Sequence, residues 1–480
     1  MAGRRTLRSG KEFSSYDLAI ARAIPPPVHF DVAQRIKQTL LDEGGTDCLD
    51  EHESVAGPGD PAPVSNHSPV IPVSPATGSL PASQSLSAKA RNQLKSRARR
   101  DRKRESERAR SGDPKIKAVH RKRLAEGKAA ALLLPIDIAT FSHSKPAWIG
   151  ARDASPADTT PPAAPEGDTG LGGVIYTQDE VDALVGMPGF RYIPWLGRLA
   201  IPLLDSERRI IGVLGGTPRD FAGWKVVTDG AAALLEERLP RIRLSEERLH
   251  HRRAPADEPF PAIARGLSHG GGQVEPGELC NNVANTELTD ELLAHPNFCR
   301  LASFANSLFA MWAPLLFAFY KAQMALFAAW NPRLRWNFVG SIFAACTFNF
   351  GRAVTVPHVD FANLAWGWCC ITALGAFNPD YGGHLILWDL RLVVRFPPGS
   401  TVLIPSALVK HSNTPVAPHE RRSSFTQYTA GGIFRWIRNG FQTDDAFAAT
   451  ASEEERDARK REDLTRWATG VQMFSTIDDI

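Results

Sequence analysis

Residues 358–374 read HVDFANLAWGWCCITAL, and the reading of this stretch decides the fold. It opens on a His-x-Asp pair, His358-Val359-Asp360, and runs into an apolar, aromatic-rich segment from Trp366 to Leu374 with the length and composition of a buried strand. The chain keeps this pattern toward its C-terminus. Asn378-Pro379-Asp380-Tyr381-Gly382-Gly383 is a turn, His384 to Leu390 and Leu392 to Phe396 are short strands, and Pro397-Pro398-Gly399-Ser400 is a second turn. Thr401 to Ile404 then leads toward His411, and Arg422 to Tyr428 (RSSFTQY) is the last strong run. Many short strands separated by Gly/Pro turns predict an all-β core with flanking helices, an α+β chain built around a barrel or jelly roll.

Spacing carries the chemistry, because side chains two apart on a strand point to the same face. His358 and Asp360 can both face a barrel interior while Val359 packs outward, and Arg422 and Ser424 share a face in the same way. A His-x-carboxylate pair plus a distant His, here His411, supplies a two-His-one-carboxylate triad, which leaves Fe(II) with open positions for a co-substrate and O₂. The spacing alone is weak evidence in a chain with 13 His. His29-Phe30-Asp31 has the same spacing, yet no strand pattern surrounds it and no Arg-x-Ser matches it, so it reads as an ordinary polar pair. An inward guanidinium and hydroxyl at 422 and 424 suit the distal carboxylate of 2-oxoglutarate, since Arg offers a rigid donor fork that Lys lacks. Taken alone, Arg422 reads equally well as a solvated surface charge, as Arg421 beside it does. His384 competes with His411 as the second ligand, but it follows the Gly-Gly turn too early in strand order and reads as a plain strand position.

The order His-x-Asp, Gly-Gly-x-Leu, Pro-Gly-Ser, distal His and Arg-x-Ser is carried here by His358/Asp360, Gly382-Gly383-His384-Leu385, Pro398-Gly399-Ser400, His411 and Arg422/Ser424. It resembles the double-stranded β-helix (jelly roll) of the 2-oxoglutarate/Fe(II) dioxygenases. A narrower resemblance, to the TET/JBP-like branch and its fungal, transposon-associated members, rests on Thr347-Phe348-Asn349-Phe350-Gly351, on His358-x-Asp360-x-x-Asn363 running to Gly367-Trp368-Cys369, and on 424–432 (SFTQYTAGG). The close match covers 337–436 and a looser one reaches back to about Ile175. The resemblance implies Fe(II) held by His358, Asp360 and His411, 2-oxoglutarate held by Arg422 and Ser424, and O₂ as oxidant. It further implies hydroxylation of a C–H bond such as the methyl of 5-methylcytosine, and makes Asn363 a candidate contact to the base. Asn363 suits equally a cap on the turn after the metal-bearing residues. A base in a duplex would have to flip into the pocket. Phe361, Trp366 and Trp368 are candidate stacking partners, although such aromatics are more often core.

One element of that branch is missing. TET enzymes precede the barrel with a cysteine-rich, zinc-bound region that grips DNA, whereas the six Cys here (48, 280, 299, 346, 369, 370) include no Cys-x-x-Cys pair. Neither structural zinc nor a disulfide framework is indicated. A replacement grip lies in Lys89 to Arg110 (KARNQLKSRARRDRKRESERAR), within a basic segment 89–128. Its eleven basic and three acidic residues contribute +8 to a chain of net charge +4, leaving the remainder mildly acidic. Basic charge confined to one segment suits phosphate binding, and Lys95 to Arg104 would serve nuclear import. The bland alternative is a solvated, partly helical charged linker.

Gly57 to Ser87 and Asp153 to Gly173 are rich in Pro, Ser, Ala, Thr and Gly, so the plan read from composition is a largely disordered region 1–170, a dioxygenase-like domain 171–450 and a charged tail 451–480. Thr177 with Glu180 predicts a helix start closed by a capping box, and Tyr192 to Gly216 alternate as a hairpin about Asp205-Ser206-Glu207. Gly270-Gly271-Gly272 has no phosphate-cradle context and reads as a hinge. Leu301 to Tyr320 holds twenty residues without a charge. Ser303, Asn306, Ser307 and Pro314 make it a buried helix and not a membrane span, and the N-terminal residues lack the apolar core of a signal peptide. Two other functions fit parts of this pattern: a protein or small-molecule hydroxylase with the same iron site, and a non-catalytic nucleic-acid-binding transposon accessory protein.

Overall fold

The computed structural model describes residues 5–6, 12–13, 118–151, 176–186, 189–245 and 259–480. His29 and Asp31, the Pro/Ser-rich stretch 57–87, the basic residues 89–117 and the linker 153–173 lie outside them. The N-terminal part comprises helix α1 (Ala118–Ala130), strand β1 (Leu132–Leu133), α2 (Gln178–Val185), β2 (Arg191–Ile193), β3 (Ile201–Leu204), β4 (Ile210–Gly216) and α3 (Phe221–Arg238). Strands β5 (Ala262–Ser268) and β6 (Gly277–Glu278) follow, then helices α4 (Val283–Ala294), α5 (Pro296–Trp312) and α6 (Pro314–Trp330). The C-terminal strands are β7 (Ala345–Asn349), β8 (Cys369–Ala376), β9 (Leu385–Leu387), β10 (Leu392–Val394), β11 (Thr401–Ile404), β12 (His411–Asn413) and β13 (Arg421–Tyr428). Helices α7 (Gly431–Arg438), α8 (Asp444–Thr450) and α9 (Glu453–Val471) complete a mixed α+β architecture.

Nine strands form one sheet in the order β1-β3-β4-β11-β8-β13-β7-β5-β6, and four form a second in the order β12-β9-β10-β2. The apolar run 366–374 supplies the middle of the large sheet, as its composition demands: Cys370 of β8 lies opposite Leu403 of β11 on one side and Gln427 of β13 on the other. The two faces of β13 divide by strand alternation. Phe425 packs against Phe298 of α5 at 5.3 Å between ring centroids, whereas Arg422, Ser424, Thr426 and Tyr428 line a cavity on the other face.

The uncharged stretch 301–320 is buried as expected, but it is two helices. Proline has no N–H to donate and clashes with the preceding turn, so α5 stops at Trp312 and Pro314 begins α6. Among the described residues no helix is long and apolar enough to cross a membrane. Thr177 caps α2 with the reciprocal Glu180 contact read from sequence, and β3 and β4 form the antiparallel hairpin about 205–207. Gly270, Gly271 and Gly272 turn with positive φ after β5.

Folded structure reaches back well before residue 171. Strand β1 pairs parallel with β3, and Arg123 of α1 donates to the Gly215 carbonyl at 2.5 Å while its guanidinium lies over the Phe304 ring. The last part of the basic segment therefore packs on the domain: α1 buries Gly127 and half-buries Arg123 against α5 and β4 while Arg121 and Lys122 stay exposed. Composition hid this because α1 is a run of charge with almost no amphipathic pattern. The C-terminal tail is likewise part of the fold, since Ile210 donates to the Ser475 carbonyl and Arg208 pairs bidentately with Asp478.

Candidate active site

His358 and His411 meet across an isolated antiparallel bridge, exchanging backbone hydrogen bonds of 3.0 and 2.8 Å. His411 starts β12, but His358 is not on a strand, contrary to the sequence expectation. Pro357 precedes it, and the chain bends at once into a turn in which Asn363 N–H donates to the Asp360 carbonyl at 2.9 Å. The single bridge nonetheless brings the three side chains together. The imidazole rings lie 4.3 Å apart, Asp360 Oδ1 is 3.5 Å from His358 Nε2, and Asp360 Oδ2 is 3.8 Å from His411 Nε2.

The hydrogen bonds behind the rings set their chemistry. His358 Nδ1 lies 2.6 Å from the Val356 carbonyl and His411 Nδ1 lies 2.9 Å from the Val409 carbonyl. A carbonyl only accepts, so each Nδ1 carries the proton and each Nε2 turns its lone pair toward Asp360. This is the backing that metal-bound histidines use. The three side chains form a cluster that could hold a metal ion, with their ligand atoms within 4.8 Å of one another. Two imidazole nitrogens and one carboxylate oxygen on one side suit an octahedral Fe(II) with the opposite positions left open.

The same residues line a cavity between the two sheets that opens to solvent at its mouth. Its walls come from both sheets: Asn349 of β7, Ile371 of β8 and β13 on one side, Leu385 of β9 and Asn413 of β12 on the other. Arg422 reaches into it from β13. Its side chain is buried, its Nη1 donates to the Ala353 carbonyl at 3.0 Å, its Nε has no partner, and no carboxylate among the described residues pairs with it. Burial lowers its pKa to about 10. Phe377 and Phe396 flank the guanidinium, each 5.9 Å from ring centroid to Cζ. A buried cation of this kind fits a ligand carboxylate, and Ser424, two residues along the same face, supplies the hydroxyl beside it.

Asn363 is elsewhere. It is buried in the turn after Asp360, its Nδ2 is 3.4 Å from Ser406 Oγ, and it does not line the cavity. Trp366 and Trp368 are core residues: Trp366 packs on Trp148 at 5.9 Å and Trp368 stacks on Phe309 at 5.3 Å. Phe361 is also buried away from the lining. His384 packs against Tyr192 on the far side of β9, where desolvation lowers its pKa to about 4. Sequence reasoning missed Thr347, Thr355 and Asn413, which do line the cavity, along with Thr426 and Tyr428. Counting by twos from His411 and from Arg422 would have found Asn413, Thr426 and Tyr428.

No protein-family model and no curated protein matches the chain. Solved structures resemble it in part, two of them as follows. NgTET1 in complex with 5mC DNA superposes with a TM-score of 0.36 at 12% identity, over 54% of this chain and 93% of that one. An oxidoreductase of the 2OG-Fe(II) oxygenase family from Burkholderia pseudomallei superposes with a TM-score of 0.24 at 17% identity, over 42% and 77%. These scores are too low to carry a function, which rests on the residues of the site.

Proposed function

We propose that this chain is an Fe(II)- and 2-oxoglutarate-dependent dioxygenase that oxidises a methylated base in DNA, its two sheets being the halves of a double-stranded β-helix. The observation that carries the reaction class is the joint opening of the His358/Asp360/His411 cluster and the counter-ion-free Arg422 onto one cavity. His358, Asp360 and His411 would hold the metal, and Arg422 with Ser424 would hold the distal carboxylate of 2-oxoglutarate. With iron and 2-oxoglutarate bound, O₂ would be the oxidant and 2-oxoglutarate the co-reductant: one oxygen atom would enter a substrate C–H bond and the other the succinate formed, with carbon dioxide, from 2-oxoglutarate. The chain's own part is orientation and exclusion of water: carbonyl-backed imidazoles keep the ligand set aimed, and the apolar faces of Ile371, Leu385 and Phe396 dry the cavity.

The substrate class rests on charge. Among the described residues lining the cavity, Arg422 is the one Lys or Arg and Asp360 the one acidic residue, so no second ion partner waits for an amino acid or a further carboxylate. The remaining polar lining is neutral, with Asn349 donating through Nδ2 to Ser424 and Thr426, and suits a neutral, polar, flat group like a flipped base. The basic segment 89–128 would grip the phosphates and carry the nuclear-import signal. Protein or small-molecule hydroxylation is the second reading, favoured by the burial of Asn363, Trp366 and Trp368 outside the cavity.

The deciding experiment incubates the chain with Fe(II), 2-oxoglutarate and duplex DNA containing 5-methylcytosine, then analyses the digested nucleosides by mass spectrometry. Oxidised nucleosides that vanish in His358→Ala support base oxidation. Succinate formation without them moves the substrate to the second reading, and the absence of both sinks the dioxygenase.

A further inference from the structure

The turn that carries Asp360 is held from outside the sheets by a segment that belongs to neither. Residues 143–150 form a tight loop: Ala147 donates to the Ser144 carbonyl at 2.7 Å, Ser144 Oγ donates to the Ile149 carbonyl at 2.9 Å, and His143 bridges Gly150. Ala147, at its bend, is fully buried with φ +54°, a conformation a non-glycine residue keeps only when its surroundings enforce it. From this loop Gly150 N–H donates to the carbonyl of Phe361, the residue after Asp360, at 2.8 Å. Ala365 N–H returns a bond to the Trp148 carbonyl at 3.3 Å, and Ile149 bridges Leu364.

The contact reaches both sides of the metal cluster. A Cβ on Gly150 would lie 2.1 Å from the Ala407 carbonyl oxygen, so the glycine backbone is pressed into the loop just before His411. That loop receives Asp360 N–H at the Ser406 carbonyl, 2.8 Å away. Gly150 thus touches the peptide next to Asp360 and the loop leading to His411 at once. The strap is fixed in turn by α9, whose Arg466 donates to the Pro146 carbonyl at 2.6 Å and lies 4.2 Å over the Trp148 ring.

We infer that the strap 143–150, clamped by Arg466, is a positioning element of the metal centre, with Gly150 and Trp148 setting where Asp360 stands relative to His411. The inference rests on the metal reading of His358, Asp360 and His411. His411 starts a sheet strand, but His358 stands on an isolated bridge and Asp360 in the turn after it, so no sheet ladder holds Asp360 in place. The strap supplies that restraint.

The test is Co(II) binding to the full chain, followed by visible absorption and by hydrogen exchange. In the wild type, Co(II) slows exchange of the Gly150 amide together with amides of 360–364 and leaves the β3–β4 hairpin unchanged. Gly150→Ala weakens Co(II) binding by about tenfold, the usual effect of disturbing groups behind metal ligands, and alters the absorption bands at an unchanged circular-dichroism spectrum. Trp148→Phe retains wild-type binding while Trp148→Ala shares the loss, and this pair decides the matter if Gly150→Ala does not fold. Wild-type affinity in both Gly150→Ala and Trp148→Ala, or strap exchange indifferent to Co(II), overturns the inference and leaves the metal reading standing. A wild type that binds no Co(II) overturns both.

Discussion

Arg422 shows at the scale of one residue how binding and stability oppose each other. A guanidinium buried without a counter-ion is destabilising, and its pKa, lowered by burial from 12.5 to about 10, puts the penalty on the order of 3 kcal/mol at neutral pH. For a base whose folded pKa is depressed, that penalty is present in full below about 10 and is relieved only as pH climbs beyond it. Arg422→Met should therefore raise the melting temperature of the ligand-free chain while abolishing 2-oxoglutarate binding; calorimetry on the same two proteins reads both. Arg422→Lys keeps the charge but loses the planar fork, and should raise the KM for 2-oxoglutarate by roughly tenfold or more. His384 has the same sign in an acid window. It is neutral in the folded chain down to about 4, whereas in the unfolded chain it titrates near 6.5. Between those values the unfolded state holds more protons, so stability falls as pH drops from 6.5 toward 4. Urea midpoints measured across that range should fall less steeply in His384→Gln than in the wild type.

Among the elements, the turn between β8 and β9 has the tightest link to the co-substrate site. Gly383 has φ +70°, and a Cβ there would stand 2.7 Å from the Phe377 ring and 3.2 Å from Arg422 Cδ. Gly383→Ala should displace Phe377 and the Arg422 stem together, raising the KM for 2-oxoglutarate while leaving Co(II) affinity unchanged; a joint loss of both would show that the turn supports the whole cluster instead. The Gly-Gly punctuation of this turn was legible in the sequence because glycine adopts such a backbone without the steric cost other residues meet. So was β13, whose period of two sets Arg422 and Ser424 on one face. The surroundings of His358 were not legible, since a His-x-Asp spacing fits a strand and a bend equally well, and only the partner bridge with His411 distinguishes them. Asn363 shows the same limit: its spacing from Asp360 places it in the turn, but whether its amide faces the cavity depends on Ser406, forty-three residues away.

For the whole molecule the decisive boundary is the start of the fold, and composition set it too late. A cut at 171 removes α1, whose Gly127 abuts the Trp312 indole, together with β1 and the strap beneath Asp360. Losing the contacts of α1 with the buried Trp312 and Phe304 exposes apolar surface on α5 and leaves an edge of β3 unpaired, the conditions under which a chain aggregates. A cut at 117 removes none of these. It takes away Lys89 to Arg110 and so the +8 of charge proposed to grip phosphates. The two truncations should therefore separate folding from nucleic-acid affinity. The chain from residue 118 should melt within a few degrees of full length and bind Co(II) normally, while its affinity for duplex DNA falls and the dependence of that affinity on salt flattens by the charges removed. The chain from residue 171 should be insoluble or bind no metal. DNA binding by the chain from residue 118 that matches full length, with the same salt slope, would place the grip on the folded domain, with Arg121 and Lys122 of α1 the first side chains to replace.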